Sequence, residues 1–188
     1  MLLLASQLEN LKIISLRSSR AVAQTAGVVI DPRELKIVAF VISGAKNYRY
    51  LLSEDVREIR PSTLLIDEEN EIVESEDLVR LQETLKLNFS IRNKRVVTET
   101  NRPLGKAEDS VVESTTFYIQ KIHVKQSILK SLSSSKLIID RKQIVEVTDK
   151  KIVVREAAAK NKKTSFAYNP ARAVSTTGIG AASQSTKQ

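Results

Sequence analysis

Basic residues are the side chains whose type and spacing best fit a binding chemistry in this sequence. Residues 87–155 contain 14 lysines and arginines against 7 acidic residues, whereas residues 1–86 contain 11 against 14. Residues 156–188 add 5 basic residues and 1 acidic residue, and the net charge of the chain is +8. This asymmetry favours an anionic partner for the second half, nucleic acid being the commonest. Basic side chains that only solvate strand edges and a tail explain it about as well.

Seven of these residues are the candidates for contacts to phosphate. Such contacts would neutralise a nucleic-acid backbone without reading its base sequence. Phe166 and Tyr168 lie close to the last of them and offer rings on which bases could stack. A solubilising tail is the alternative interpretation of the lysines after residue 159. The candidates are Arg92, Lys94, Arg95, Arg155, Lys160, Lys162 and Lys163.

Residues suited to catalysis or to metal binding are scarce. The chain has one histidine, His123, and no cysteine, which excludes thiolate chemistry and zinc sites built from several nitrogen or sulfur ligands. It has no nucleophile elbow and no glycine-rich phosphate loop. The acidic run from Asp67 to Asp77 lacks the spacing and central glycine of a calcium loop, so we interpret it as a hairpin followed by a helix N-terminus. We expect no enzyme activity, cofactor, metal or small-molecule substrate.

The composition and the apolar runs favour a cytoplasmic protein. The apolar start of the chain, Met1–Ala5, is too short for a signal peptide and has no basic residues before it. No run approaches the roughly 18 apolar residues of a membrane span. The absence of cysteine fits a reducing compartment. We therefore expect a cytoplasmic location and no membrane span.

Strands must position the candidate residues, and the clearest strand signal is Gly27–Ser43. It predicts two strands joined by a tight turn at Asp31-Pro32, the second strand being buried on both faces. Gly27 is expected to provide a positive φ or a close backbone approach. The spacing of the leucines predicts a helix over Ser75–Lys86, capped by Ser75, whose leucine stripe packs as core. A partner-helix interface is the rarer alternative for that stripe.

The second half repeats the first with small insertions at Glu108–Thr116 and Ser127–Ser135. From Ala157 onward the chain is rich in small and polar residues without a period, which predicts a disordered tail after a short helical extension over Ala157–Ala159. The predicted correspondences are Arg95–Val97 with Arg20–Val22, Leu104-Gly105 with Ala26-Gly27, Ile119–Val124 with Ile37–Ile42, Ile144–Val147 with Val56–Ile59, and Ile152–Val154 with Leu64–Ile66.

Both halves run through a glycine, a hairpin, a buried apolar strand and a short strand pair. The first half shows this order in Ala26–Asp31, Leu35–Ile42 and Leu51–Val56, and the second in Leu104–Asp109 and Ile119–Val124. The order resembles the PRC-barrel family, whose small β-barrel occurs in the H subunit of photosynthetic reaction centres and in the C-terminal domain of ribosome-maturation factors. The second half departs further from the pattern, and nothing here matches the separate N-terminal barrel of those factors.

The resemblance implies a mainly β protein of two tandem PRC-like barrels with a connecting helix and a disordered tail. The domains would be residues 1–86, 87–155 and 156–188. Because that barrel docks onto other proteins or ribonucleoprotein and brings no catalytic residues, the resemblance implies a non-catalytic interaction module with a protein partner. RNA or ribonucleoprotein, in RNA processing or ribosome maturation, is the leading expectation. A protein adaptor at a membrane-bound or energy-transducing complex is the alternative.

Overall fold

Two seven-stranded mixed sheets make up most of the chain in the computed structural model, which describes residues 1–44, 48–126 and 136–160. The strands before the one α-helix in these residues, α1 (Gln82–Leu87), are β1 (Leu2–Leu4), β2 (Lys12–Ser15), β3 (Arg20–Asp31), β4 (Lys36–Ile42), β5 (Arg49–Leu52), β6 (Glu58–Ile59), β7 (Thr63–Ile66) and β8 (Ile72–Glu74). The strands after it are β9 (Arg95–Thr98), β10 (Pro103–Glu113), β11 (Ile119–Lys125), β12 (Lys136–Asp140), β13 (Ile144–Val147) and β14 (Lys151–Val154).

The two sheets share one strand order. The first runs β6-β7-β2-β3-β4-β5-β8, and the second runs β13-β14-β9-β10-β11-β12, with β1 added beside β10. Each contains one parallel pair, β2 with β7 and β9 with β14, and its other pairs are antiparallel. The prediction of a mainly β fold is confirmed, and the second half repeats the strand order of the first. The tandem barrels stay a prediction.

The strand register corrects two of the five predicted correspondences. Arg95 on β9 pairs with strands β14 and β10, and Lys12 on β2 pairs with the equivalent strands β7 and β3. Strand β9 is therefore the counterpart of β2 and not, as predicted, of the start of β3. By the same register Gly105 corresponds to Ala23, and Gly27 corresponds to Asp109. The error arose because β3 is one continuous strand of 12 residues, whereas the clearest strand signal in the sequence began only at Gly27. The other three correspondences agree with the pairing.

The predicted hairpin within Gly27–Ser43 is confirmed as β3 and β4, and the backbone N–H of Arg33 donates to Asp31 Oδ1 at 2.8 Å in its turn. The expectation for Gly27 is wrong, because a Cβ there would meet nothing within 4 Å and its φ is not positive. Gly105 is the constrained glycine. Its φ is +144°, and a Cβ would lie 2.2 Å from the carbonyl oxygen of Lys125 on the neighbouring strand.

The helix predicted over Ser75–Lys86 is only partly formed. Two 3-10 turns, Ser75–Asp77 and Val79–Leu81, precede α1, because Leu78 between them has φ −90° and ψ 53° and leaves the helical region. Ser75 does not cap the segment, since its hydroxyl contacts the Glu76 carboxylate at 3.2 Å. The side chain of Leu78 is buried, and α1 packs against β3, so the segment contributes to the core as expected.

The two halves contact each other directly at their hairpin turns. The N–H of Ile37 donates to the carbonyl of Phe117 at 2.9 Å, and the N–H of Ile119 donates to the carbonyl of Leu35 at 2.8 Å. These residues are equivalent in the two halves, and Leu35 and Phe117 both have positive φ, 49° and 60°. Equivalent groups that contact each other reciprocally are the mark of a twofold arrangement. The joint is therefore a pseudo-twofold contact within one chain.

One hydrophobic core joins both halves across this contact. The rings of Phe40 and Phe117 meet edge to face with their centroids 5.7 Å apart. Buried residues from both sheets form a single cluster, and β1 at the start of the chain pairs with β10 of the second sheet. The halves are thus joined by packing and by strand pairing as well as by the helical segment.

The last described element is the 3-10 helix Glu156–Lys160, which agrees with the predicted short extension over Ala157–Ala159. Ala158 is buried in it, and Glu156 forms an ion pair with Arg102 at 2.9 Å. This 3-10 helix lies at the start of residues 156–188, which were predicted to form the tail. The rest of the tail and the predicted insertion Ser127–Ser135 lie outside the described residues. No helix among the described residues has the length and apolar character needed to cross a bilayer.

Candidate nucleic-acid interface

Basic residues lie opposite one another across five neighbouring strands of the second sheet. Each of them is directly paired with the next in the strand register, at the end of the sheet where β9 and β14 begin and β11 ends. We call this set the basic row. In the order β14, β9, β10, β11 and β12, its members are Lys151, Arg95, Lys106, Lys125 and Lys136.

The geometry of the basic row concentrates positive charge along a line. Directly opposed residues on neighbouring strands project to the same face, and strands lie about 4.8 Å apart, so Lys151, Arg95, Lys106 and Lys125 on four strands span about 14 Å. Arg95, Lys106 and Lys125 are exposed, and Lys151 is half-buried. None of these four forms an ion pair with a carboxylate among the described residues. Their mutual repulsion is therefore relieved by water and ions or by an anionic partner.

The first sheet provides an internal comparison for the basic row. The positions that correspond to Lys151, Arg95, Lys106 and Lys125 are occupied by Thr63, Lys12, Gln24 and Ser43. Only one of these four residues is basic. Since the two sheets have the same strand order and register, the fold does not require basic residues at these positions. The row is a chemical property of the second half.

The three sequence candidates at the start of the second half lie at this end of the sheet in different roles. Arg95 belongs to the basic row, and Arg92 is exposed in the turn before it. The ammonium group of Lys94 donates to the carbonyl of Asp149 at 2.6 Å and lies 4.3 Å from the ring centroid of Phe89. Lys94 therefore links two turns beside the row.

The remaining candidates are not brought to the basic row by the described structure. Arg155 follows the last residue of β14, whereas Lys151 is its first, which separates them by about 13 Å along the strand. Lys160 is the last residue of the final 3-10 helix. Lys162 and Lys163 lie outside the described residues, as do Phe166 and Tyr168.

The acidic run beginning at Asp67 contacts basic residues of its own half. The Arg57 guanidinium donates to both carboxylate oxygens of Asp67, at 2.8 and 2.7 Å, and this hydrogen bonding holds the pKa of Asp67 below its ordinary value. Glu68 forms an ion pair with Arg17. Burial raises the pKa of the nearby Glu71, whose carboxylate accepts the N–H of Asp67. The hairpin predicted for this run is wrong, because β7 pairs with β2 and β6 whereas β8 pairs with β5, so the run connects two strands that are not neighbours.

Sequence reasoning missed Lys106, Lys125, Lys136 and Lys151, four of the five members of the basic row. Along the chain, paired members of the row are 11, 11, 19 and 56 residues apart, so no local cluster marks them. No signal in the sequence alone identifies them, because the cross-strand register is what places these lysines side by side. The predicted correspondence matched β9 with the start of β3 and not with β2, so it did not place Arg95 opposite Lys106.

Neither a protein-family model nor a curated protein matches the chain. What the chain binds is therefore inferred from the charge and geometry of its own residues.

Proposed function

We propose that the chain is a non-catalytic, cytoplasmic interaction module that binds RNA along the basic row. The observation that carries the proposal is the register of five basic residues across β14, β9, β10, β11 and β12. Lysine and arginine side chains in a line can neutralise successive phosphates of one strand without base-specific contacts. The resemblance to PRC barrels supports an assembly role, in RNA processing or ribosome maturation, with tandem barrels as the scaffold.

The test is the salt dependence of binding of the full chain to a fluorescein-labelled single-stranded RNA, followed by fluorescence anisotropy. For single strands the logarithm of the association constant falls with the logarithm of salt concentration by about 0.7 per neutralised phosphate. Contacts from the four side chains of Lys151, Arg95, Lys106 and Lys125 therefore predict a slope of about −2.8. No binding at low salt, or binding that does not change with salt, would contradict the proposal.

A matched pair of double variants separates the row from general charge. Lys106→Gln with Lys125→Ser introduces the residues that the first sheet carries at these positions, so the fold is expected to accept them. The slope should become less steep by about 1.4. Lys12→Gln with Arg20→Ser removes the same charge from exposed positions of the first sheet and should leave the slope unchanged. Equal effects of the two pairs would show that RNA binding is diffuse.

The adaptor function, in which the partner is a protein of a membrane-bound or energy-transducing complex, makes a different prediction. Partners captured from a lysate by the full chain would then survive nuclease treatment of the lysate. We expect nuclease to release them, because the contacts of the basic row are to RNA.

A further inference from the structure

A cavity of about 650 Å³ opens beside the basic row, bounded by the turn before β9, the N-terminal segment and strands β10 and β11. Pockets that hold small organic ligands typically enclose about 300 to 1,000 Å³, so one nucleotide fits this volume. Three basic residues line the cavity, namely Lys106 and Lys125 of the basic row and Arg92 of the preceding turn. A phosphate that binds the row at β10 and β11 therefore lies at the mouth of the cavity.

Five other polar residues line the cavity and can form hydrogen bonds, and two of them carry carboxylates. A site for phosphate alone would not place carboxylates beside its cations, because like charges repel the ligand. Carboxylates beside a phosphate site are suited to the hydroxyl groups of a ribose, which donate to them. These other residues are Ser6, Asn93, Glu108, Asp109 and His123.

Asp109 is held in place at the cavity and keeps accepting capacity. Its Oδ2 accepts the Ser6 hydroxyl at 2.5 Å, and its Oδ1 accepts the N–H of Ser110 at 2.8 Å. The pairing of β1 with β10 anchors the segment that carries Ser6. Each oxygen of a carboxylate can accept about two hydrogen bonds, so Oδ2 has one position left for a donor from a ligand. A fixed acceptor of this kind needs no rearrangement when the ligand binds.

The corresponding place in the first half lacks the three cations of the cavity and the carboxylates of Glu108 and Asp109. Strand register and turn hydrogen bonds relate six lining residues to residues that are acidic, neutral or apolar in the first half. Every charged group of the cavity is therefore specific to the second half, like the basic row itself. Arg92, Lys106, Glu108, Asp109, His123 and Lys125 correspond to Glu9, Gln24, Ala26, Gly27, Val41 and Ser43.

We infer that the cavity seats one ribonucleotide of the RNA bound along the basic row. Its phosphate lies against Lys106, Lys125 and Arg92, and its 2′-hydroxyl donates to Asp109. This inference rests on the proposed function and adds a selectivity that the row alone lacks, since phosphate contacts do not distinguish RNA from DNA. The 2′-hydroxyl is the group that marks RNA at such a site.

The experiment compares three single-stranded oligonucleotides of one sequence, as RNA, as DNA with uracil bases and as 2′-O-methyl RNA, by anisotropy with the full chain. The last keeps the ribose but cannot donate from its 2′-oxygen. RNA should bind about tenfold more tightly than either of the others, the effect of one hydrogen bond to a charged group. Equal affinities for all three would overturn the inference and leave the proposed function standing. Absence of binding to any of them would overturn both.

Two variants locate the selectivity in the protein. Asp109→Asn should lower the affinity for RNA to that for DNA, because the amide retains only one accepting oxygen. Glu146→Gln neutralises an exposed carboxylate on β13 that does not line the cavity, and it should preserve the preference for RNA. An Asp109→Asn protein that still prefers RNA tenfold would overturn the inference. A thermal melt of each variant identifies any loss of binding that follows from loss of fold.

Discussion

Glycine is required at position 105, where there is no space for a Cβ atom, but not at position 27, where there is. At Gly105 the backbone of β10 approaches β11 so closely that a Cβ would lie 2.2 Å from the Lys125 oxygen and 3.0 Å from a methyl group of Val124. Neither a strand backbone nor a buried side chain can move far without breaking its own contacts. The approach also positions Lys125 in the basic row. At Gly27 the same methyl group would meet nothing within 4 Å.

Replacement of the two glycines by alanine should therefore give opposite results. Gly105→Ala should lower the free energy of unfolding by about 2 kcal/mol or more, from the clash and from a φ that alanine disfavours. Gly27→Ala should leave stability unchanged or raise it by up to about 1 kcal/mol, because alanine restricts the unfolded chain. Urea unfolding at equal m-value measures both. Equal destabilisation by the two substitutions would contradict the assigned close approach.

Residue types alone could indicate that the basic half is the binding half, but not which residues act together. Arg92, Lys94 and Arg95 were identified because they are close in sequence. Lys106 and Lys151 join Arg95 only through cross-strand pairing, which depends on bulges and turn geometry that hydrophobic spacing does not encode. A shift of one residue in one strand would send the paired side chain to the other face of the sheet.

At the scale of elements, the strands of the first hairpin were predictable, whereas the 3-10 turns that replace part of a predicted helix were not. A nearly continuous apolar run and the Asp31-Pro32 turn predicted the β3–β4 hairpin, whereas the leucine spacing of Ser75–Lys86 predicted one helix. The side-chain amide of Gln82 donates to the Ser75 carbonyl, and the backbone turns twice in 3-10 form before α1 begins. The α-helix α1 packs against β3, and tertiary contacts can override helix propensity.

The 3-10 helix Glu156–Lys160 is attached to the second sheet by hydrogen bonds to one carboxylate, which makes the attachment dependent on pH. Glu156 accepts from Thr100 and pairs with Arg102, and the hydrogen bond from Thr100 is the main cause that holds its pKa below the ordinary 4.5. A carboxylate whose pKa is lower in the folded than in the unfolded state stabilises the protein at pH values above its unfolded-state pKa. This stabilisation is lost as the pH falls through the pKa of the folded state.

Glu156→Gln should therefore lower the free energy of unfolding at neutral pH. The difference from the unsubstituted chain should shrink as the pH falls below 4.5 and the carboxylate becomes protonated. Urea unfolding at about pH 7 and at about pH 3 measures this change. Glu99→Gln is the control, because Glu99 is exposed and forms no ion pair within the described residues. A difference for Glu156→Gln that is independent of pH would contradict the role of the charge.

At the scale of the whole molecule, we expect the pseudo-twofold joint to make the two sheets one folding unit. Equivalent backbone groups of Leu35, Ile37, Phe117 and Ile119 pair across the joint, and the buried residues on its two sides form one cluster. A core shared in this way couples the unfolding of one half to that of the other. Two barrels connected only by a helix would instead unfold independently. The basic row, which spans five strands of one sheet, therefore depends on the stability of both halves.

Phe117→Ala tests this coupling, because Phe117 is buried, contacts Phe40 of the other half and lies at the centre of the joint. Its truncation should cost about 3 to 5 kcal/mol. Calorimetry should show a single transition that moves to lower temperature as a whole, with equal calorimetric and van't Hoff enthalpies. Val145→Ala, at an apolar residue that is 51% exposed, is the control and should change stability by less than about 0.5 kcal/mol. If Phe117→Ala instead splits the unfolding into two transitions, of which only one moves, then the halves are independent domains and the joint is a surface contact.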